Sequence, residues 1–101
     1  MKWVKGEGMK KCLKIMLWVQ KLPKDFLKDI VQKKVSALGL EGIAQKIDKQ
    51  EIKIIICGES SRLEAFLEFF YKTLEKILVD DIQVEPFIKK TEYRSIFRII
   101  E

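Results

Sequence analysis

The sequence predicts an α+β fold: a ferredoxin-like βαββαβ plait, with two helices on one face of an antiparallel sheet and an added C-terminal strand. Three observations carry that prediction. Apolar residues alternate with period two from Cys12 to Val19, across 42–57 and again towards the C-terminus, and they recur with a helical period after Asp25 and after Gly58. The resulting order of strand, helix, strand, strand, helix, strand contains two split βαβ units. At 101 residues and 48% hydrophobic, the chain suits one domain that buries roughly two thirds of its unfolded surface.

Residues 1–8 are polar and glycine-punctuated, with Trp3 as the one large apolar anchor. They are expected to be a flexible extension before an internal start at Met9, or a cloning remnant, which leaves 9–101 as a single domain. From Cys12 to Val19, the apolar set Leu13, Ile15, Leu17 and Val19 alternates with Cys12, Lys14, Met16 and Trp18, the signature of a strand. After Pro23, Asp25 is placed to cap a helix with the stripe Leu27, Ile30, Val31, Val35 and Leu38, and Gly39 supplies a left-handed stop. Gly42 to Ile47 and Ile52 to Cys57 read as a hairpin through Asp48-Lys49-Gln50, the second strand dense in β-branched residues. Gly58 closes it. Ser61 and Glu64 form a capping box before a second helix with the stripe Leu63, Phe66, Leu67, Phe70, Leu74 and Leu78. Ile82 to Phe87 and Ser95 to Ile100 complete the strands, separated by the charged Lys89-Lys90-Thr91-Glu92.

The net charge of +5 conceals an asymmetry: residues 1–50 hold 12 lysines against 5 acids, whereas 51–101 hold 8 basic residues against 10 acids. A basic half invites an anionic partner, although a solvated lysine-rich surface is the commoner use of such charge. The chain has no histidine, which removes imidazole metal sites and His-activated nucleophiles. No metal or cofactor is expected. Cys12 and Cys57 lie on separate strands without CxxC spacing and are expected to be buried reduced thiols. Lys14 interrupts the run after Met9 that would otherwise resemble a secretion signal. No apolar stretch approaches the ~20 residues that span a bilayer. A cytoplasmic setting without a membrane partner is expected.

One set of segments, taken together, is similar to the acylphosphatase family. It comprises Ile30-Val31-Gln32, then five residues, then Leu38-Gly39-Leu40-Glu41-Gly42, a hairpin, Gly58, and Leu63-Glu64-Ala65-Phe66-Leu67. The ending, Ile82-Gln83-Val84 and Phe97-Arg98-Ile99, resembles that family's last two strands, so the resemblance runs from about Cys12 to Ile100. It implies hydrolysis of a carboxyl phosphate without metal or cofactor. In the family's loop, Val-Gln-Gly-Val-Gly-Phe-Arg, glycines let main-chain N–H groups converge on a phosphate and the Arg clamps it.

Counting back from Ile30-Val31-Gln32, the family Arg falls on Lys28 and its glycines on Lys24 and Phe26. An alignment anchored on Val19-Gln20 needs about three extra residues and puts Pro23 in the cradle. Either way the cradle is damaged, because proline has no N–H and side chains obstruct a close main-chain approach. The family's second catalytic residue, an Asn that orients the attacking water, falls on Lys46 of Gly42-Ile43-Ala44-Gln45-Lys46. An ammonium donates only and cannot accept from water as an amide carbonyl does. Gln45 offers an amide one position away, on the opposite strand face.

Three readings follow. The first is a degenerate acylphosphatase-like domain that has little or no hydrolysis and retains anion or partner binding, with Lys24 and Lys28 as the anion-attracting residues. The second is an active enzyme in which Lys28, with Lys24, holds the phosphate of an acyl phosphate. The third is a nucleic-acid-binding plait using Lys10, Lys11, Lys14, Lys21, Lys24, Lys33 and Lys34, with Trp18 as a stacking surface.

Overall fold

The computed structural model describes residues 10–87 and 96–100. Five strands, β1 (Lys10–Val19), β2 (Glu41–Asp48), β3 (Glu51–Glu59), β4 (Val79–Pro86) and β5 (Phe97–Ile100), form one sheet in the order β4-β1-β3-β2-β5. All neighbours run antiparallel except β5, which lies parallel to β2 with Gly42 opposite Phe97. The plait therefore has a mixed sheet, and the added strand supplies its one parallel pairing among the described residues. Residues 1–8 and 89–92 lie outside the described residues.

Alternation along the strands decides which side is covered. Ile15, Leu17 and Val19 of β1 and Ile52, Ile54 and Ile56 of β3 are buried, and they pack with residues of both helices in one core. On the other face of β1 stand Cys12, Met16 and Trp18, all half-buried.

The first helix departs from the expected regular stripe. Phe26–Gln32 is π-helical and runs into α1, Lys33–Ala37. Phe26, Leu27, Val31 and Val35 are all buried. In a regular α-helix Phe26 and Val31 would point roughly 140° apart at 100° per residue, so a uniform helix could not bury both beside Leu27 and Val35. The wider π turn brings residues five apart onto one side. Asp25 does not cap this helix through its carboxylate: it adopts a left-handed conformation, φ 56°, and makes no side-chain cap hydrogen bond.

Gly39 stops α1 as anticipated, with φ +67°. Its N–H donates to Ser36 O at 3.1 Å and the Leu40 N–H donates to Val35 O at 2.9 Å, the paired bonds of a Schellman ending, with Leu40 and Val35 both buried. Gly42 is held for a different reason. A Cβ there would lie 1.9 Å from the Ile55 carbonyl oxygen at φ +148°, so only glycine lets β2 lie against β3.

The second helix, α2 (Ser60–Leu74), buries Leu63, Phe66, Phe70 and Leu74. Phe66 and Phe70 stack with centroids 5.3 Å apart, and Phe26 of the first helix lies 6.3 Å from Phe70. The capping box expected at Ser61 is not formed: β3 runs on to Glu59, Ser60 is already helical, and the N-cap is Glu59 with no side-chain bond. Ser61 thus sits too deep in the first turn to cap. Leu78 is not part of the stripe either, because the helix ends at Leu74 and leaves Leu78 69% exposed.

The cysteines correct the expectation of free thiols. Cys12 and Cys57 are register partners on β1 and β3 and form a disulfide. Cys57 is buried and Cys12 half-buried. The sequence separation of 45 residues hid a juxtaposition that only strand pairing produces.

Candidate functional site

The candidate site lies where β1 ends and the first helix begins. Val19 N–H donates to Gln50 O at 2.9 Å and Gln20 N–H to Leu78 O at 3.1 Å, so the loop leaves the sheet from a fixed point. Gln50 Nε2 donates to Gln20 O at 3.3 Å, and Gln20 Nε2 to Asp80 Oδ1 at 3.3 Å. From this anchor Lys21, Pro23, Lys24 and Asp25 are exposed, whereas Leu22 is half-buried against the core.

The loop closes on itself. Phe26 N–H donates to Pro23 O at 3.2 Å, closing a four-residue turn whose third residue, Asp25, is left-handed, a conformation that turns with a positive φ at that position share. Asp29 N–H then donates to Asp25 O at 2.8 Å. The Phe26 amide is therefore committed within the turn, and Pro23 has none to offer. The Asp25 carboxylate adds negative charge at the helix start, where an anion would otherwise be favoured.

The expected site residues do not share one cleft. Lys28 borders a cleft of about 420 Å³ with Asp25, Gln32 and Ile96 to Ile99. Across it, Gln32 Nε2 donates to Phe97 O at 3.5 Å. Lys46 borders a second cleft, of about 630 Å³, with Gln20, Lys21, Leu22, Asp48, Lys49 and Gln50. Lys24 is exposed and borders neither. Lys46 pairs with buried Ile52, and Gln45 pairs with half-buried Lys53 on the other side of β2.

Sequence reasoning missed two residues here, Arg98 and Lys49, and named Lys21 for nucleic-acid contact alone. Arg98 joins Lys28 because β5 docks parallel to β2, and no local pattern announces that pairing. Lys21 and Lys49 join Lys46 because the loop after β1 and the β2–β3 turn meet at one end of the sheet. The fact that Lys49 sits in a hairpin turn was legible, whereas its neighbours were not.

Trp18, the expected stacking surface, has Glu51 as its register partner on β3 and Asp81 on β4. A base laid on that indole would approach two carboxylates. Among the described residues no group of three or more His, Cys, Asp or Glu side chains is arranged to hold a metal ion. No helix among them is long and apolar enough to cross a membrane.

The acylphosphatase family model matches residues 19–99. No curated protein matches the chain significantly. Among solved structures, an acylphosphatase from Coxiella burnetii is similar with TM-score 0.72 and 20% identity, over 89% of this chain and 92% of its own. An acylphosphatase from Bacillus subtilis is similar with TM-score 0.69 and 18% identity, over 92% and 100% respectively. A bacterial light-regulated adenylyl cyclase is also similar, with TM-score 0.63 and 15% identity, over 91% of this chain but 28% of its own. At such identities these likenesses establish the fold alone.

Proposed function

Because the chain belongs to the acylphosphatase family, we propose that it is a divergent member that keeps the family plait and does not hydrolyse acyl phosphates at an ordinary rate. The observation that carries this reading is the self-closed turn at Pro23–Phe26, whose Phe26 amide is bonded to Pro23 O. A main-chain phosphate cradle needs several unengaged N–H groups aimed at one point. Here one amide is engaged and one is absent.

The two positions that correspond to the family's catalytic Arg and Asn support the same reading. Lys28 and Lys46 border different clefts, which supports a phosphate clamp and a water-orienting position that are not built into one pocket. Lys28 brings charge without the planar fork that grips two phosphate oxygens. Together with Lys24 it attracts anions weakly and non-geometrically.

Purified protein tested with benzoyl phosphate is expected to show turnover far below that of an ordinary family member. Comparable turnover removes the proposal.

A second reading, an active hydrolase, draws on Arg98 bordering the Lys28 cleft, which returns a guanidinium to its rim. In that case Lys28→Ala abolishes turnover while leaving the fold intact. A nucleic-acid role is disfavoured by the carboxylates of Glu51 and Asp81 flanking Trp18.

A further inference from the structure

The helices pack on the face of the sheet that presents Ile15, Leu17 and Val19. On the opposite face β1 holds Trp18, half-buried, between half-buried Glu51 of β3 and exposed Asp81 of β4. We propose that this part of the face is a docking surface for a partner protein segment that presents an arginine, its guanidinium laid on the Trp18 indole and bonded by the Glu51 and Asp81 carboxylates. None of the three residues borders the Lys28 or the Lys46 cleft, and the proposal stands whether or not the chain turns over acyl phosphates.

Strand register brings the three together. Directly opposed residues of antiparallel strands share a face, with their Cβ atoms about 5 Å apart. Ile52 and Ile82, the next residues along β3 and β4, pack in or against the core, so Glu51 and Asp81 stand on the side of Trp18. The placing is rigid on β1 and β3: Val19 N–H donates to Gln50 O at 2.9 Å, which pins the chain one residue from both Trp18 and Glu51. A surface fixed in advance lowers the ordering cost of binding.

The charge is available to a partner. Among the described residues the ion pairs join Lys14 to Glu85 and Arg62 to Glu59, and none uses Glu51 or Asp81. Lys53, on the same face, stands one row away as the register partner of Met16 and makes no ion pair with Glu51. Asp81 Oδ1 accepts the Ile82 N–H at 2.8 Å, which leaves its other oxygen unengaged among the described residues.

The chemistry of the three groups selects the ligand. An indole face attracts cations, and ionised carboxylates only accept hydrogen bonds. A guanidinium answers both at once, because it stacks flat on an aromatic ring while its N–H groups donate at the edge. An ammonium is a compact point charge that does not stack, and a trimethylated one has no N–H for either carboxylate.

The neighbouring edge decides how a partner lies. β4 is an edge strand, and Phe87 N–H donates inward to Cys12 O at 3.0 Å, so by alternation the N–H of Ile82 points away from β1. That donor is taken by Asp81, and Pro86 has none. Such an edge resists the addition of a strand, which leaves the face itself as the route of approach.

The test is a titration of the full, isotope-labelled chain at low salt with three capped peptides, arginine–glycine, lysine–glycine and trimethyllysine–glycine repeats of equal length, followed by amide and indole NMR shifts. The arginine peptide is expected to bind tightest, with shifts centred on the Trp18 indole, Glu51 and Asp81 and weakened by added salt. Glu51→Gln and Asp81→Asn are each expected to weaken it roughly threefold, and Trp18→Leu roughly fivefold, with thermal melts of the two carboxylate variants unchanged. Shifts centred elsewhere, affinity indifferent to both carboxylate changes, equal or tighter binding of the trimethyllysine peptide, or no arginine-peptide binding at millimolar concentration would overturn the proposal.

Discussion

Asp25 occupies a conformation that glycine adopts more cheaply, with φ 56° and ψ 27°. It is tolerated because Asp is among the residues least penalised there, and the turn it permits engages the Phe26 amide. On the proposed reading, that arrangement alters the loop beyond the two substituted positions. Restoring Lys28→Arg and Lys46→Asn together is expected to leave benzoyl phosphate turnover essentially unrecovered, since neither change frees the Phe26 N–H or supplies one at Pro23. A continuous hydrolysis assay on the double variant checks this, and recovery to family-like rates contradicts it. The absence of glycine between Gln20 and Phe26 was readable directly from the sequence. The bond from Phe26 N–H to Pro23 O was not, because it depends on how the loop folds between its two anchors.

At the scale of elements, local composition and packing compete, and packing wins where they disagree. The first helix was legible as a helix and its Gly39 ending was legible in kind. Its π-helical opening was not, because burying Phe26 with Val31 is a demand set by the sheet below it. In α2 the apolar spacing alone fixed the buried face, Leu63, Phe66, Phe70 and Leu74. Phe66→Ala is expected to cost about 3–5 kcal/mol, read from urea unfolding, because the ring is fully buried and stacked on Phe70. Gly42→Ala is expected to cost on the order of 3 kcal/mol, since its methyl would meet the Ile55 carbonyl oxygen. A near-neutral thermal melt for that variant would show that β2 can shift away from β3.

Across the whole molecule, the disulfide joins two neighbouring central strands and closes a long loop. For a separation of 45 residues, the chain-entropy estimate is about 4 kcal/mol of stabilisation. Denaturant titrations with and without reductant are expected to differ by about that amount, as is the Cys12→Ser, Cys57→Ser double variant against the oxidised chain. A difference near zero would indicate that the reduced, unfolded chain already keeps positions 12 and 57 close together. The same topology redistributes the charge asymmetry: lysines from the basic half meet at one end of the sheet in the Lys21–Lys46–Lys49 cleft, while Lys28 and Arg98 border another.

The order of strands and helices, the buried faces of α2 and of the central strands, and the proline and missing glycines of the loop after β1 were set by the sequence itself, because alternation, helical spacing, glycine and proline act through near neighbours. Pairings between distant residues were decided only by tertiary structure: Cys12 with Cys57, β5 beside β2, and Lys28 in a different cleft from Lys46. Such pairings follow from strand register and packing, and these are settled by the free energy of the whole core rather than by any one segment.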